Sequence, residues 1–191
     1  MLSRDEIIQI LRESNALMDG HFILTSGLHT GQYIEKFRIL EKPRYTELLC
    51  RDIAEHFGLE NITAIVGPMT GGIIIGYEVA RQLGVKSIFT ERVEGKMKFK
   101  RGFSLTEKDR VLIVEDIITT GGSILEVIDD VIKFNSKIVG LGYLVDRSNG
   151  RAKFPVPSQA LLTLNIETYS PYDCPMCKKG ITAVKPGSTN K

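Results

Sequence analysis

Two adjacent carboxylates, Glu115 and Asp116, are followed at short spacing by hydroxyls and glycines, Thr119-Thr120-Gly121-Gly122-Ser123. Acids of this kind can hold sugar hydroxyls. A Thr/Gly/Ser turn that opens a helix offers hydroxyls, pliant backbone and unpaired N–H groups to an anion. Together the two halves suit a ligand that carries both hydroxyls and a phosphate. The plain alternative is a strand, an acidic turn and a capped helix, since Ser and Thr are ordinary caps. Against it stands the acid pair, whose like charges are unfavourable together unless solvent, a cation or hydroxyl donors compensate. Two other phosphate-binding spacings are absent: there is no Gly-x-x-x-x-Gly-Lys-Ser/Thr, and no Gly-x-Gly-x-x-Gly with a later ribose-binding acid.

The element that must present these acids is the run Val111-Leu-Ile-Val114, short and apolar as a strand covered on both faces of a parallel sheet should be. The acids are then expected at its carboxyl end, where open α/β sheets bind ligands. Ile124, Leu125, Val127, Ile128, Val131 and Ile132 spell the helix that follows, through residue 134. Upstream, residues 4–18 read as an amphipathic helix on Ile7, Ile8, Leu11 and Leu17, stopped by Gly20. Residues 22–25 and 32–37 read as short strands around the polar turn 26–31. Pro43 opens a helix that Gly58 stops. From there strand-turn-helix units repeat. Residues 62–66 lead through Gly67-Pro-Met-Thr-Gly-Gly72 to a helix ending at Leu83, residues 85–90 lead into a charged loop, and residues 138–145 end at Asp146-Arg147. This alternation predicts an α/β fold with a central, mostly parallel sheet flanked by helices and right-handed crossovers. One strand, 160–164, is expected in the tail. A single domain over residues 1–191 is expected, with 62–147 as its sheet core.

Two further turns fall on the same predicted rim. Gly67-Pro-Met-Thr-Gly-Gly72 exposes backbone donors before a helix and suits a second anion such as pyrophosphate, a tight packing turn being the alternative. Arg147 brings a planar fork that can take a carboxylate in two hydrogen bonds, unless it pairs internally with Asp146 or Asp130. The segment 91–102 carries five basic residues (Arg92, Lys96, Lys98, Lys100, Arg101) against Glu91 and Glu94, a net +3. It reads either as a solvated hairpin or as a loop that closes over a multiply charged anion.

Composition excludes several classes. The chain has 191 residues, 42% hydrophobic and 25% charged, with a net charge of +2, so nothing in the total demands nucleic acid or an anionic membrane as partner. No apolar run approaches the roughly 20 residues of a membrane span, and Asp5 and Glu6 interrupt any signal-like start, so a cytoplasmic protein is expected. The three cysteines, Cys50, Cys174 and Cys177, cannot close a disulfide framework. Cys174-Pro-Met-Cys177 has zinc-knuckle spacing but no second Cys-x-x-Cys, and His21, His29 and His56 are distant in sequence. Two reduced thiols are therefore expected, and no metal ligand is assigned.

At Val111–Ser123 the sequence resembles the type I phosphoribosyltransferases, whose signature is a hydrophobic strand, two acids, two apolar residues and a Thr/Gly-rich turn. Over most of its length it is similar to the orotate phosphoribosyltransferase family. Phe22-Ile-Leu-Thr-Ser-Gly-Leu-His29 resembles that family's hood turn, Gly67-Pro-Met-Thr-Gly-Gly-Ile73 its pyrophosphate loop and Glu91-Arg-Val-Glu-Gly-Lys96 its mobile loop. Leu144-Val-Asp-Arg147 resembles the strand that brings arginine to the orotate carboxylate. Cys174-Pro-Met-Cys-Lys-Lys-Gly180 and Lys185-Pro-Gly-Ser188 resemble one bacterial and archaeal branch.

The resemblance implies a phosphoribosyltransferase fold in which residues 1–40 supply a helix and hood. It implies transfer of phosphoribosyl from 5-phosphoribosyl 1-diphosphate to orotate, with Mg2+ accompanying the diphosphate and a homodimer with shared active sites. Arg92, Lys96, Lys98 and Asp116 are implied as catalytic. Glu115, Asp116, Ile117, Ile118, Thr119, Thr120, Gly121, Gly122, Ser123 and Arg147 are implied as substrate-binding. The chain departs from the family at Thr25 and Gly71, where lysines are frequent, at Val93, often lysine, and at Lys98, often histidine. The rival readings are a purine-base phosphoribosyltransferase and a non-catalytic regulator that senses phosphoribosyl diphosphate. The absence of an appended DNA-binding domain weighs against the second.

Overall fold

In the computed structural model, which describes residues 1–186, the chain runs α1 (Arg4–Glu13), β1 (Leu17–Ile23), β2 (His29–Ile34), α2 (Phe37–Leu40), α3 (Pro43–Phe57), β3 (Ala64–Pro68), α4 (Gly71–Leu83), β4 (Lys86–Val93), β5 (Lys96–Phe99), β6 (Arg110–Ile118), α5 (Gly122–Ile132), β7 (Lys137–Asp146), β8 (Ser158–Thr163), β9 (Thr168–Tyr169) and α6 (Pro175–Lys178). Gly187 and Ser188 of the branch-like ending lie outside the described residues. Six strands form one sheet in the order β5-β4-β3-β6-β7-β8, parallel throughout except for the antiparallel β4–β5 hairpin. A second sheet, β1-β2-β9, is antiparallel and joins the N-terminal hairpin to the tail.

Period-2 alternation in the central strand divides the core. Leu112 and Val114 pack with α1, α3 and α4 through Leu11, Ile53, Phe57, Ile75 and Val79. Val111 and Ile113 pack with α5 through Ile124, Val127, Ile128 and Val131. Beyond Val114 the phase flips, for Ile117 joins the first core and Ile118 the second. Glu115 and Asp116 absorb that flip.

Three boundaries depart from the sequence reading. The first helix stops at Glu13 rather than residue 18, because Ser14 caps it and Asn15 adopts a φ of 57°, a conformation that asparagine tolerates better than most residues. Leu17 and Met18 pass into β1, which also contains Gly20. The central strand runs on to Ile118, so the acids lie within its last residues and not after it. The strand expected at 85–90 runs on as β4 to Val93, and of the two readings of the charged segment it takes the hairpin: Glu94 and Gly95 turn, and β5 returns in register, Arg92 opposite Met97 and Val93 opposite Lys96. The edge strand β5 is tied to α5 by Met97 N–H donating to Glu126 (3.0 Å) and Phe99 N–H to Asp130 (2.8 Å), which blunts an edge otherwise open to pairing.

Candidate active site

The central strand β6 pairs with β3 only through Val111–Ile113, whereas with β7 it pairs on to Ile118. Its last residues therefore project past β3 and face the loop that precedes α4. Gly71, the first residue of α4 after that loop, lies so close that a Cβ there would stand 1.5 Å from Asp116 Oδ2. The departure at Gly71 thus has a physical reason in this chain: any side chain would displace the carboxylate.

The two acids have unlike surroundings. Asp116 is 1% exposed. Its Oδ1 accepts hydrogen bonds from Ile117 N–H (2.6 Å) and from Lys36 Nζ (3.2 Å), and its Oδ2 lies 2.9 Å from the same ammonium. Although Oδ2 is off-line for a hydrogen bond, the charge contact is intact. The expectation that both acids emerge together is corrected here: Asp116 is sequestered, and the compensating cation comes from the chain. Glu115 is half-buried and lines a small cleft with Ile117, Ile118, Thr119, Thr120, Gly121, Gly122, Ser123 and Ile124, about 70 Å³ in volume. Burial foremost, and then the neighbouring Asp116 charge, push the Glu115 carboxyl up to about 8. A group so placed gains from any hydroxyl donor or cation that enters the cleft.

The other wall is the start of α5. Gly121, with φ 81°, occupies the N-cap, and no side chain caps the helix. A Cβ at 121 would also meet the Phe154 ring at 2.9 Å, so glycine is required twice over. No acid occupies the first turn. The first-turn N–H groups and the helix dipole are thus left for an exogenous anion, and Thr119 and Thr120 are exposed beside them. The capped-helix alternative does not apply.

Arg147 follows β7, and its N–H donates to Ile118 O at 2.8 Å, which fixes it one strand from the cleft. Its Nε is buried without a hydrogen-bond partner. Burial pulls the guanidinium below its ordinary value, while Tyr33 of β2 acts in the opposite sense. The internal pairs considered for it do not form: Asp146 accepts from Ser148 N–H (2.7 Å), and Asp130 engages Lys133 and Phe99.

The basic hairpin divides. Arg92 donates to Ser123 Oγ (3.1 Å), Glu126 (3.2 Å) and Gly95 O (2.5 Å), which puts its guanidinium beside the α5 terminus. Lys96 and Lys98 stand on β5 against Glu126, Asp129 and Lys133 of α5 and its end, outside the Glu115 cleft of the same chain. Lys98 lies 3.6 Å from Glu94. Sequence reasoning missed Lys36 and Tyr33, which approach Asp116 and Arg147 from the end of β2. No local pattern marks either one, since the Lys36 contact spans 80 residues.

An acid, a glycine-capped helix terminus and a half-buried arginine with an unpartnered Nε thus share one rim of the parallel sheet, and a family model described as phosphoribosyl transferase domain matches residues 39–155, which gives the class of the protein. The chain is 50% identical over 187 residues to an orotate phosphoribosyltransferase of Desulforamulus reducens, covering 98% of both, and 44% identical over 190 residues to that of Caldicellulosiruptor bescii, covering all of both. It belongs to the orotate phosphoribosyltransferase family. Among solved structures, orotate phosphoribosyltransferase from Aeropyrum pernix superimposes with a TM-score of 0.71 at 24% identity, over 83% of this chain and 93% of that one. An adenine phosphoribosyltransferase from Trypanosoma brucei gives 0.64 at 17%, over 85% and 82%. The fold is common to enzymes of both base classes. Among the described residues no helix is long and apolar enough to cross a membrane.

Proposed function

We propose that the protein transfers phosphoribosyl from 5-phosphoribosyl 1-diphosphate to N1 of orotate, giving orotidine 5'-phosphate and pyrophosphate in de novo pyrimidine (UMP) biosynthesis in the cytoplasm. The observation that carries the reading is Arg147, a half-buried guanidinium with an unpartnered Nε and no acid paired to it among the described residues, one strand from the Glu115 cleft. Orotate brings a planar carboxylate that matches this fork, whereas a purine base brings none.

In this reading the first turn of α5, residues 122 and 123, grips the 5'-phosphate together with Thr119 and Thr120, and Arg92 adds positive charge through its contact with Ser123. Glu115 accepts the ribose hydroxyls. Asp116 sits behind it, with Lys36 balancing its charge until ligand arrives. The N1–C1' bond forms while the bond from C1' to the diphosphate oxygen breaks; the pyrophosphate leaves with the electron pair, and the N1 proton is lost to solvent. Orotate supplies the nucleophile, so no side chain need attack. The ribose carbon becomes cationic in passing, and a fixed carboxylate nearby favours that charge. The rim's oxygen donors, the Glu115 carboxylate and the threonine hydroxyls, suit a hard cation carried in with the diphosphate. Magnesium, when bound, neutralises charge on the leaving group.

Lys96 and Lys98 lie away from the cleft of their own chain. We assign them to the neighbouring site of a homodimer, where the hairpin would close over the diphosphate. The test of the whole reading is pyrophosphate release with magnesium, 5-phosphoribosyl 1-diphosphate and one of orotate, uracil, adenine or hypoxanthine. Release with orotate supports it. Release with a purine alone favours a purine enzyme, and none with any base favours a sensor.

A further inference from the structure

We propose that His21, His29, Cys174 and Cys177 form a structural zinc site that clamps the C-terminal tail onto the N-terminal hairpin. The four residues come from three separate places. His21 lies in β1, His29 opens β2, and Cys174 and Cys177 belong to the N-cap and body of α6. One ligand atom from each falls within 4.8 Å of all the others. The sequence distance between the histidines and the tail thiols is spanned by the fold, which brings the four scattered candidates together.

The spacing suits one tetrahedral ion. With Zn–N near 2.0–2.1 Å and Zn–S near 2.3 Å, neighbouring donors should stand about 3.3–3.8 Å apart. Cys177 Sγ is 3.3 Å from His29 Nδ1 and 3.8 Å from His21 Nε2, and Cys174 Sγ is 3.5 Å from His21 Nε2. The two ring nitrogens, at 2.8 Å, need to part by about half an ångström to take an ion between them. His21 is also held as a ligand should be. Its Nδ1 donates to Ile181 O at 2.7 Å, which leaves Nε2 bare toward the cluster. Metal-bound imidazoles regularly make such a second hydrogen bond, and it fixes both tautomer and ring plane. The pattern of two imidazoles and two thiolates selects zinc over the hard, oxygen-seeking cations of the nucleotide rim. Three of the four residues are buried and Cys177 closes the exposed side, which limits the access of water as a competing ligand.

The position explains what an ion would do. Besides this cluster, the backbone pairing of the described tail with the hairpin consists of a two-residue strand, β9, and a bridge of Val184 to Phe22. So small an antiparallel sheet has little apolar area of its own, and small units of this kind are commonly stapled by metal. β2 leads directly into Lys36, which reaches Asp116, so a clamp at its first residue steadies the end that touches the site.

The test is metal analysis of the full-length protein purified under reducing conditions without chelators, followed by cobalt exchange. One zinc per chain is expected, as are the near-ultraviolet thiolate-to-cobalt charge-transfer band and the intense visible bands of a tetrahedral Co2+ site. Cys174→Ser with Cys177→Ser should abolish both, Cys50→Ala should keep both, and chelation should lower the melting temperature of the wild type. The proposal is overturned by wild-type protein that neither contains zinc nor gives the cobalt–thiolate band after reconstitution. Zinc retained in the double variant, or a Cys174–Cys177 disulfide as the stable state despite reductant, also overturns it. The cobalt spectrum is read on the wild type alone, so it decides the question even where the double variant misfolds.

Discussion

Replacing Lys36 by alanine removes the cation that faces a carboxylate with 1% exposure. At 2.9 Å, two unit charges in an effective dielectric of 20 attract by about 6 kcal/mol in gross terms. Breaking a buried pair from one side costs about 3–5 kcal/mol. The lysine side chain is 36% exposed, so water screens the pair, and the Asp116 carboxylate keeps its bond from Ile117 N–H. A loss of about 2 kcal/mol is therefore expected, or a melting temperature lower by about 4–8 °C for a domain of this size. The assay is urea denaturation of four proteins: wild type, Lys36→Ala, Asp116→Asn and the double variant. The double variant should recover more than half of the loss, because a neutral amide needs no cation, and the cycle then isolates the pair. A Lys36→Ala midpoint unchanged within error, or purely additive substitutions, would refute the claim that Lys36 compensates Asp116.

Other consequences are open to measurement. Arg147→Ala should raise the KM for orotate at least tenfold, as expected when a bidentate, charge-assisted contact worth more than about 1.4 kcal/mol is removed, while the KM for 5-phosphoribosyl 1-diphosphate shifts little; equal effects on both would withdraw the assignment. Glu115 titrates near 8 when folded against 4.5 for an ordinary glutamate, so the folded form holds the extra proton, and this group's contribution is full below pH 4.5 and is lost as pH rises through about 8. Glu115→Gln should flatten that part of the stability–pH curve in ligand-free protein, and an unchanged curve would mean that Glu115 ionises normally. Lys96→Ala should slow turnover with a melting temperature within about 1 °C of wild type, since exposed substitutions away from packing are nearly neutral; unchanged turnover would remove the residue from the mechanism.

Where local pattern decides structure, the sequence was readable. Pro43 and Gly58 bracket α3 as expected, and the buried runs became parallel strands because only a sheet covered on both faces can bury them. The start of α5 was legible for the same reason, since a Thr/Gly/Ser turn before an apolar helical period marks a helix N-terminus. Tertiary pairing was not legible. The reach of β6 to Ile118 depends on β7 offering partners as far as Asp146, and the hairpin at Arg92 depends on Glu126 and Asp130 receiving its edge. Lys36 was invisible because its partner lies 80 residues away, and although the Cys174-Pro-Met-Cys177 spacing is local, its meeting with His21 and His29 across about 150 residues is a contact that only chain reversal creates.

The most direct test of the central claim is a crystal structure of the protein with 5-phosphoribosyl 1-diphosphate and magnesium. The 5'-phosphate should lie within hydrogen-bond distance of the N–H groups of Gly122 and Ser123, with the ribose hydroxyls on Glu115. Phosphoribosyl diphosphate bound elsewhere, with the Glu115 cleft and the α5 terminus untouched, would contradict it.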